Sequence, residues 1–162
     1  MSLSVIVREA RLDDEEEQRG LLALLDRYAT EPGVGASPLA EDVRATLIAK
    51  LRAIAGGHYF VALEGPVIVG LALCFNGFST FHARPLLNLH DLAVHPDHRG
   101  SGIGQRLLLA VEERAKALGC CRVTLEVHAT NPARRLYERF GFEGAESPEQ
   151  TTLFLTKPLQ TS

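Results

Sequence analysis

Leu3–Arg8 alternates apolar and polar side chains, the period of a half-buried strand, and predicts a first β-strand. Asp13-Asp14 then offers an N-cap, and Glu15–Glu17 places negative charge on the first turn of a helix. That helix carries Leu21, Leu22, Leu24, Leu25 and Tyr28 and is expected to stop near Pro32-Gly33. Thr30–Leu39, rich in Gly, Pro and small residues, reads as a loop. Ser37-Pro38 followed by Glu41 resembles a capping box and predicts a second helix to about Ala55, ended by Gly56-Gly57. His58–Leu63 and Val67 to about Phe75 read as strands joined by Glu64-Gly65-Pro66, a hairpin. Phe75–Pro85 is aromatic and β-prone but interrupted by Gly77, so the pattern leaves its element open. Leu86–Val94 is nearly continuous in apolar residues apart from Asn88, His90 and Asp91, as in a central strand.

A helix is expected from about Gly102 to Leu118, with Leu107, Leu108, Val111 and Ala115 as its apolar stripe. Cys120–Val127 reads as a strand, Asn131-Pro132 opens a short helix through Phe140, and Thr151–Thr156 reads as the last strand. The order β-α-α-β-β-β-α-β-α-β predicts an α/β fold, a mixed sheet with helices on its faces. A length of 162 residues suits one domain spanning residues 1–162.

Composition narrows the function. Hydrophobic residues make up 46% and charged residues 23%, and the net charge of -3 argues against a general nucleic-acid binder. Cys120 and Cys121 are adjacent and no C-x-x-C occurs, so neither a disulfide framework nor a zinc knuckle is encoded, and a reduced, cytoplasmic setting is expected. No basic n-region opens the chain and no stretch reaches membrane-spanning length, so no membrane association is expected. Residues 1–64 hold seven basic and eleven acidic side chains, whereas residues 95–140 hold eight and five. The locally basic segment suits a compact anionic ligand, or simply solvated helix faces.

The run LHDLAVHPDHRGSGIG, Leu89–Gly104, carries the strongest chemical signal. Three glycines in five residues at a helix start weaken the helix by up to about 1 kcal/mol each. They make sense where bare backbone N–H groups approach a bulky anion, with Arg99 adding a fork of donors. The spacing is no P-loop, because Gln105-Arg106 follows the last glycine, and G-x-G-x-G is not a dinucleotide fingerprint. A purely structural turn is the plain alternative.

Arg99–Gly104, with Asp91–Pro96 before it and Ala133–Phe142 after it, resembles the GCN5-related N-acetyltransferase (GNAT) family. The three motifs match that family's Arg/Gln-x-x-Gly-x-Gly/Ala loop, the strand and turn ahead of it, and its A-x-x-L-Y-x-x-x-G-F signature. The resemblance runs along essentially the whole chain. It implies a mixed, mostly antiparallel central sheet with a splayed parallel strand pair and helices on both faces. It implies acetyl-coenzyme A as co-substrate, held along the backbone of Leu92, Ala93 and Val94. The amides of Gly100, Ser101, Gly102, Ile103 and Gly104, with Arg99, would then hold its pyrophosphate. Tyr137 occupies the general-acid position, and His90 and Asp91 stand where the family carries the groups around its general base. As alternating strand residues, these two are expected on opposite faces.

The chemistry asks for these residue types. An amine attacking a thioester gathers negative charge on the carbonyl oxygen, which a fixed N–H stabilises. The ammonium must first lose a proton, and a thiolate leaving with a parent pKa near 8.5 is served by a phenol near 10. In the family pattern the asparagine lies one residue further from Ala133 than Asn131 does. Asn131 is therefore a coenzyme contact or an N-cap before Pro132, with Thr130 able to share the work. Arg134 is a coenzyme-phosphate candidate or part of a solvated face.

The acceptor pocket is expected from Thr30–Leu39 and Phe75–His82, with Phe75, Phe78 and Phe81 as an apolar wall and Glu31 as a partner for an ammonium. His95 and His98 flank a proline and fix no helical ligand pair, so no metal is expected. Together these point to acetyl transfer from acetyl-coenzyme A to a primary amine of a small molecule such as a polyamine or amino acid. Protein N-terminal or lysine acetylation and a non-catalytic acyl-coenzyme A sensor are the alternatives. The family often dimerises, so a homodimer is a further expectation.

Overall fold

The computed structural model describes residues 4–144 and 155–159. β1 (Val5–Glu9) forms where the alternation places it, and α1 (Glu15–Ala29) starts after Asp14, whose carboxylate accepts from the Glu17 N–H at 2.9 Å. Glu17 is buried and ties helix to strand. Its carboxylate binds the Arg8 guanidinium and accepts from the Arg11 N–H at 2.8 Å, and the Arg8 contact holds its carboxyl below the usual glutamate range.

α2 (Glu41–Ala53) has no side-chain cap, so the capping box expected at Ser37 does not form. Glu41 lies four residues past Ser37, one more than a reciprocal cap spans. Asp26 anchors the incoming loop instead, accepting from the Leu39 N–H at 2.8 Å and from Arg44 at 2.6 Å.

β2 (Gly57–Glu64) and β3 (Val67–Ser79) form the expected hairpin, and the open stretch after Phe75 proves to be strand. β3 runs on to Ser79 and returns as β4 (Arg84–Val94), pairing Phe78 with Pro85. α3 (Ile103–Ala117) follows, then β5 (Val123–Leu125), only three residues where eight were expected, then α4 (Arg134–Arg139). Of the last expected strand, residues 151–154 lie outside the described ones, and Leu155 and Thr156 have no regular structure.

The sheet order is β1-β2-β3-β4-β5, antiparallel except for the parallel pair β4–β5. One face packs on α1 and α2 through Leu21, Leu24, Ile48, Leu51, Leu71 and Leu73. The other packs on α3 through Cys74, Leu87, Leu89, Leu107, Leu108 and Val111, with Tyr137 of α4 in the same cluster. Helices on both faces leave the strand ends of β4 and β5 as the place where a cleft can open. No helix among the described residues is long and apolar enough to cross a membrane.

Candidate active site

Leu73 pairs with Asp91 and Cys74 with Leu89, so His90 is an extra residue on β4, a β-bulge. The bulge resets the side-chain alternation. Leu87 and Leu89 face α3, as do Leu92 and Val94, whereas Ala93 faces α1 and α2. His90 and Asp91 therefore both turn toward the α1–α2 face, correcting the expectation that they point to opposite faces. His90 sits edge-on to Phe75 of that face, with ring centroids 5.7 Å apart.

Beyond the bulge the sheet splits. β5 pairs with β4 only at Leu87, Asn88 and Leu89, so the edge of Leu92–Val94 is left without a strand neighbour on that side. A cleft of about 720 Å³ opens there, lined by Leu92, Ala93, Val94, Gly100, Gly102, Ile103, Gly104, Asn131 and Tyr137. Gly102 caps α3 at φ +83°, and Gly100 stands at φ +76°, a region costing other residues roughly 1–2 kcal/mol. No side chain caps α3 and no acidic residue occupies its first turn, so its first amides and the positive end of its dipole face the cleft uncompensated. Gly104 has a different reason. A Cβ there would stand 2.7 Å from Leu136 Cδ2, the free end of a flexible side chain, so the glycine eases packing against α4 without being required for it.

The glycine loop is braced from behind. Ser101 Oγ donates to the His98 carbonyl, and His98 Nε2 lies 3.0 Å from Glu64 Oε2. Arg99 donates from Nε to the Val94 carbonyl at 3.0 Å and pairs with Glu31 through Nη2.

Tyr137 is buried with its ring edge-on to Phe142, and it lines the cleft. Burial, with smaller contributions from Tyr28 and Asp91, pushes its hydroxyl up to about 12, so it stays protonated at neutral pH. Burial likewise raises the Asp91 carboxyl above the usual aspartate range, opposed by the neighbouring His90. Tyr28 of α1 is raised by burial and by the Asp91 charge, and it lines every recess that meets here. The Asp91 carboxyl, the Tyr137 phenol and the uncapped start of α3 thus come together around one split in the sheet.

A sequence profile of the Acetyltransferase (GNAT) family matches residues 21–142, from α1 through the end of α4. The chain belongs to that family. It is 34% identical to the thialysine N-ε-acetyltransferase of Bos taurus over 87 residues, 53% of this chain and 51% of that one. It is 28% identical to the glucosamine 6-phosphate N-acetyltransferase of Trypanosoma brucei brucei, over 88% of this chain and 93% of that one. The crystal structure of a Trypanosoma brucei acetyltransferase superposes with a TM-score of 0.68 at 27% identity, covering 94% of this chain and all of the other. The fold and the enzyme class expected from the sequence are those of this family, whose co-substrate is acetyl-coenzyme A.

Several site residues of this acetyltransferase stand elsewhere than expected. Phe78 and Phe81 are 63% and 100% exposed at the tip of the β3–β4 hairpin and line none of the recesses; Phe75 alone joins the apolar wall. Glu31 lies at the Arg99 end of the cleft, paired with Arg99, and lines neither of the recesses that Asp91 and His90 line. Arg134 is held by Glu138 and by the Ala129 carbonyl, whereas Arg139, which carries no signal in the sequence, lines the cleft. Ser101 turns its hydroxyl back into the loop. Asn131 Oδ1 accepts from the Ala133 N–H at 2.9 Å, the capping role, while the residue also lines the cleft; Thr130 pairs with His128.

In the sequence Tyr28 is only a packing residue. Its position at the last turn of an amphipathic helix carries no signal of chemistry, and only the fold brings it to Asp91. Among the described residues no three His, Cys, Asp or Glu side chains gather as a cation site.

Proposed function

We propose that this protein transfers the acetyl group of acetyl-coenzyme A directly to a primary amine of a small molecule. The bulge at His90 carries this reading, because it turns His90 and Asp91 together toward the α1–α2 face beside the split between β4 and β5. The co-substrate supplies the thioester. Leu92–Val94 offer it an open strand edge, and the first amides of α3 with Arg99 suit its pyrophosphate.

Asp91, whose carboxyl burial raises above the usual aspartate range, takes a proton from the ammonium and passes it to solvent. The freed nitrogen attacks, the C–N bond forms, and the C–S bond breaks. The nitrogen's second proton leaves to solvent by way of Asp91, and the departing sulfur is stabilised by a hydrogen bond from the Tyr137 hydroxyl and takes its proton from solvent. No covalent enzyme intermediate is needed, in keeping with the Cys74 thiol, which burial holds at about 12.

Relatives of this chain named for thialysine and for glucosamine 6-phosphate support a small-molecule acceptor. The test is twofold. Calorimetry should detect acetyl-coenzyme A binding, and free-thiol release on adding an amine should depend on Asp91 and Tyr137. Binding without any amine-dependent release would leave a sensor; release only with peptides would leave a protein acetyltransferase.

A further inference from the structure

A second recess of about 400 Å³ lies between α1, α2 and the bulge of β4, on the side away from the glycine loop. It reaches Asp91 and His90, and its walls are apolar: Leu39, Val43, Leu47, Ile54 and Phe75. Val43 and Ile54 are 38% and 43% exposed, so two residues of this wall present apolar surface that the core does not use. Lys50, in the last turn of α2, stands in its lining, and none of the ion pairs among the described residues employs it.

We propose that this recess takes the acceptor, and that the acceptor is a small amphiphile: a primary amine on an apolar body bearing a carboxylate, as in an apolar amino acid. The inference rests on the acetyltransferase function proposed for the cleft and names its substrate class.

Each part of the recess selects one part of such a molecule. Asp91 is its one carboxylate and meets the ammonium that must lose a proton. Aliphatic walls bury a hydrocarbon side chain at about 25 cal/mol per Å² and offer nothing to a ring of hydroxyls, which would lose hydrogen bonds to water. Lys50 attracts an acceptor carboxylate and repels the further ammonium groups of a polyamine. A polycation finds two carboxylates, Asp91 and Glu126, only in the smaller recess of about 170 Å³ beside β5.

The experiment compares leucine, isoamylamine (leucine without its carboxylate), spermidine, glucosamine and the peptide Leu-Gly-Gly by thiol release. The wild type and the variants Lys50→Gln and Lys50→Glu are used. Leucine should have the lowest KM. Lys50→Gln should raise the leucine KM about threefold and Lys50→Glu about tenfold, the range for a partly screened charge pair, with kcat within a few-fold. With isoamylamine, KM should move less than about twofold or fall, because no carboxylate is there to feel the change.

Equal use of leucine and isoamylamine with no response to Lys50 overturns the proposal, as does preference for spermidine, glucosamine or the peptide. Acetyl-coenzyme A binding, measured separately by calorimetry, distinguishes the failures. No binding sinks the acetyltransferase reading and this inference with it; binding with no acceptor in the panel sinks this inference alone.

Discussion

Replacing Tyr137 by Phe keeps the ring, its edge contact with Phe142 and its place in the cluster under α3, and deletes one hydroxyl. With the hydroxyl at about 12 and a thiol near 8.5, complete proton transfer to a free thiolate is uphill by about 3–4 pKa units, roughly 5 kcal/mol. The phenol therefore helps first as a hydrogen-bond donor to the sulfur as charge develops there. A hydrogen bond to a charged group is worth about 1.5–3 kcal/mol, so turnover should drop roughly 10- to 150-fold. Acetyl-coenzyme A affinity should change only a few-fold, since in the proposed binding mode the strand edge and the helix start supply most of the contacts.

Stability separates this role from a packing one. Tyr59 shows what a core tyrosine looks like here: its hydroxyl donates to the Leu51 carbonyl at 3.0 Å. The Tyr137 hydroxyl donates to no described residue, so Tyr137→Phe should move folding free energy by no more than about 0.5 kcal/mol. Steady-state thiol release and a thermal melt on the same preparation are the assay. Normal turnover refutes the donor role, and a lowered melting temperature with normal turnover makes Tyr137 a structural residue.

Asp91→Asn should lower kcat/KM about 100-fold or more and abolish the acidic limb of the rate profile, which in the wild type should lie above the usual aspartate pKa near 3.9. Because the folded pKa is raised, the folded state binds that proton more tightly than the unfolded one and stability falls as pH climbs through it. The neutral variant should therefore melt higher at pH 7, and a lower melt would contradict the burial cost assigned to Asp91. Gly102→Ala should cost about 1 kcal/mol in a denaturant titration, from its φ of +83°, and weaken acetyl-coenzyme A binding about tenfold by calorimetry. Gly104→Ala meets only the movable end of Leu136 and should leave the melt nearly unchanged. Glu31→Gln frees Arg99 and removes a carboxylate from the anion end of the cleft, so acetyl-coenzyme A should bind a few-fold tighter; weaker binding would place Arg99 elsewhere.

The sequence by itself determined the elements whose causes are local. The acidic first turn after Asp14, the stripe of α3, the two hairpin strands and the glycine-rich helix start each follow from a period, a cap or a backbone angle within a few residues. The family resemblance carried by the three motifs also implied that Leu92–Gly104 and Tyr137 share one cleft; the strand, loop and helix start are consecutive in the chain, whereas Tyr137 reaches the cleft only through the fold.

Only the tertiary structure decided the rest. Whether a strand residue faces in or out depends on its partner's register. The Leu73–Cys74 shift opposite His90 turned two expected faces into one, with no mark in the β4 sequence itself. Phe75, Phe78 and Phe81 share one aromatic stretch, yet α2 covers the first and the hairpin carries the others into solvent. Glu31 and Arg99 are 68 residues apart, and neither signals the other; the fold pairs them, as it brings Tyr28 to Asp91. Local periodicity fixes what a segment becomes, but the charges and faces that make a site are set by which segments meet.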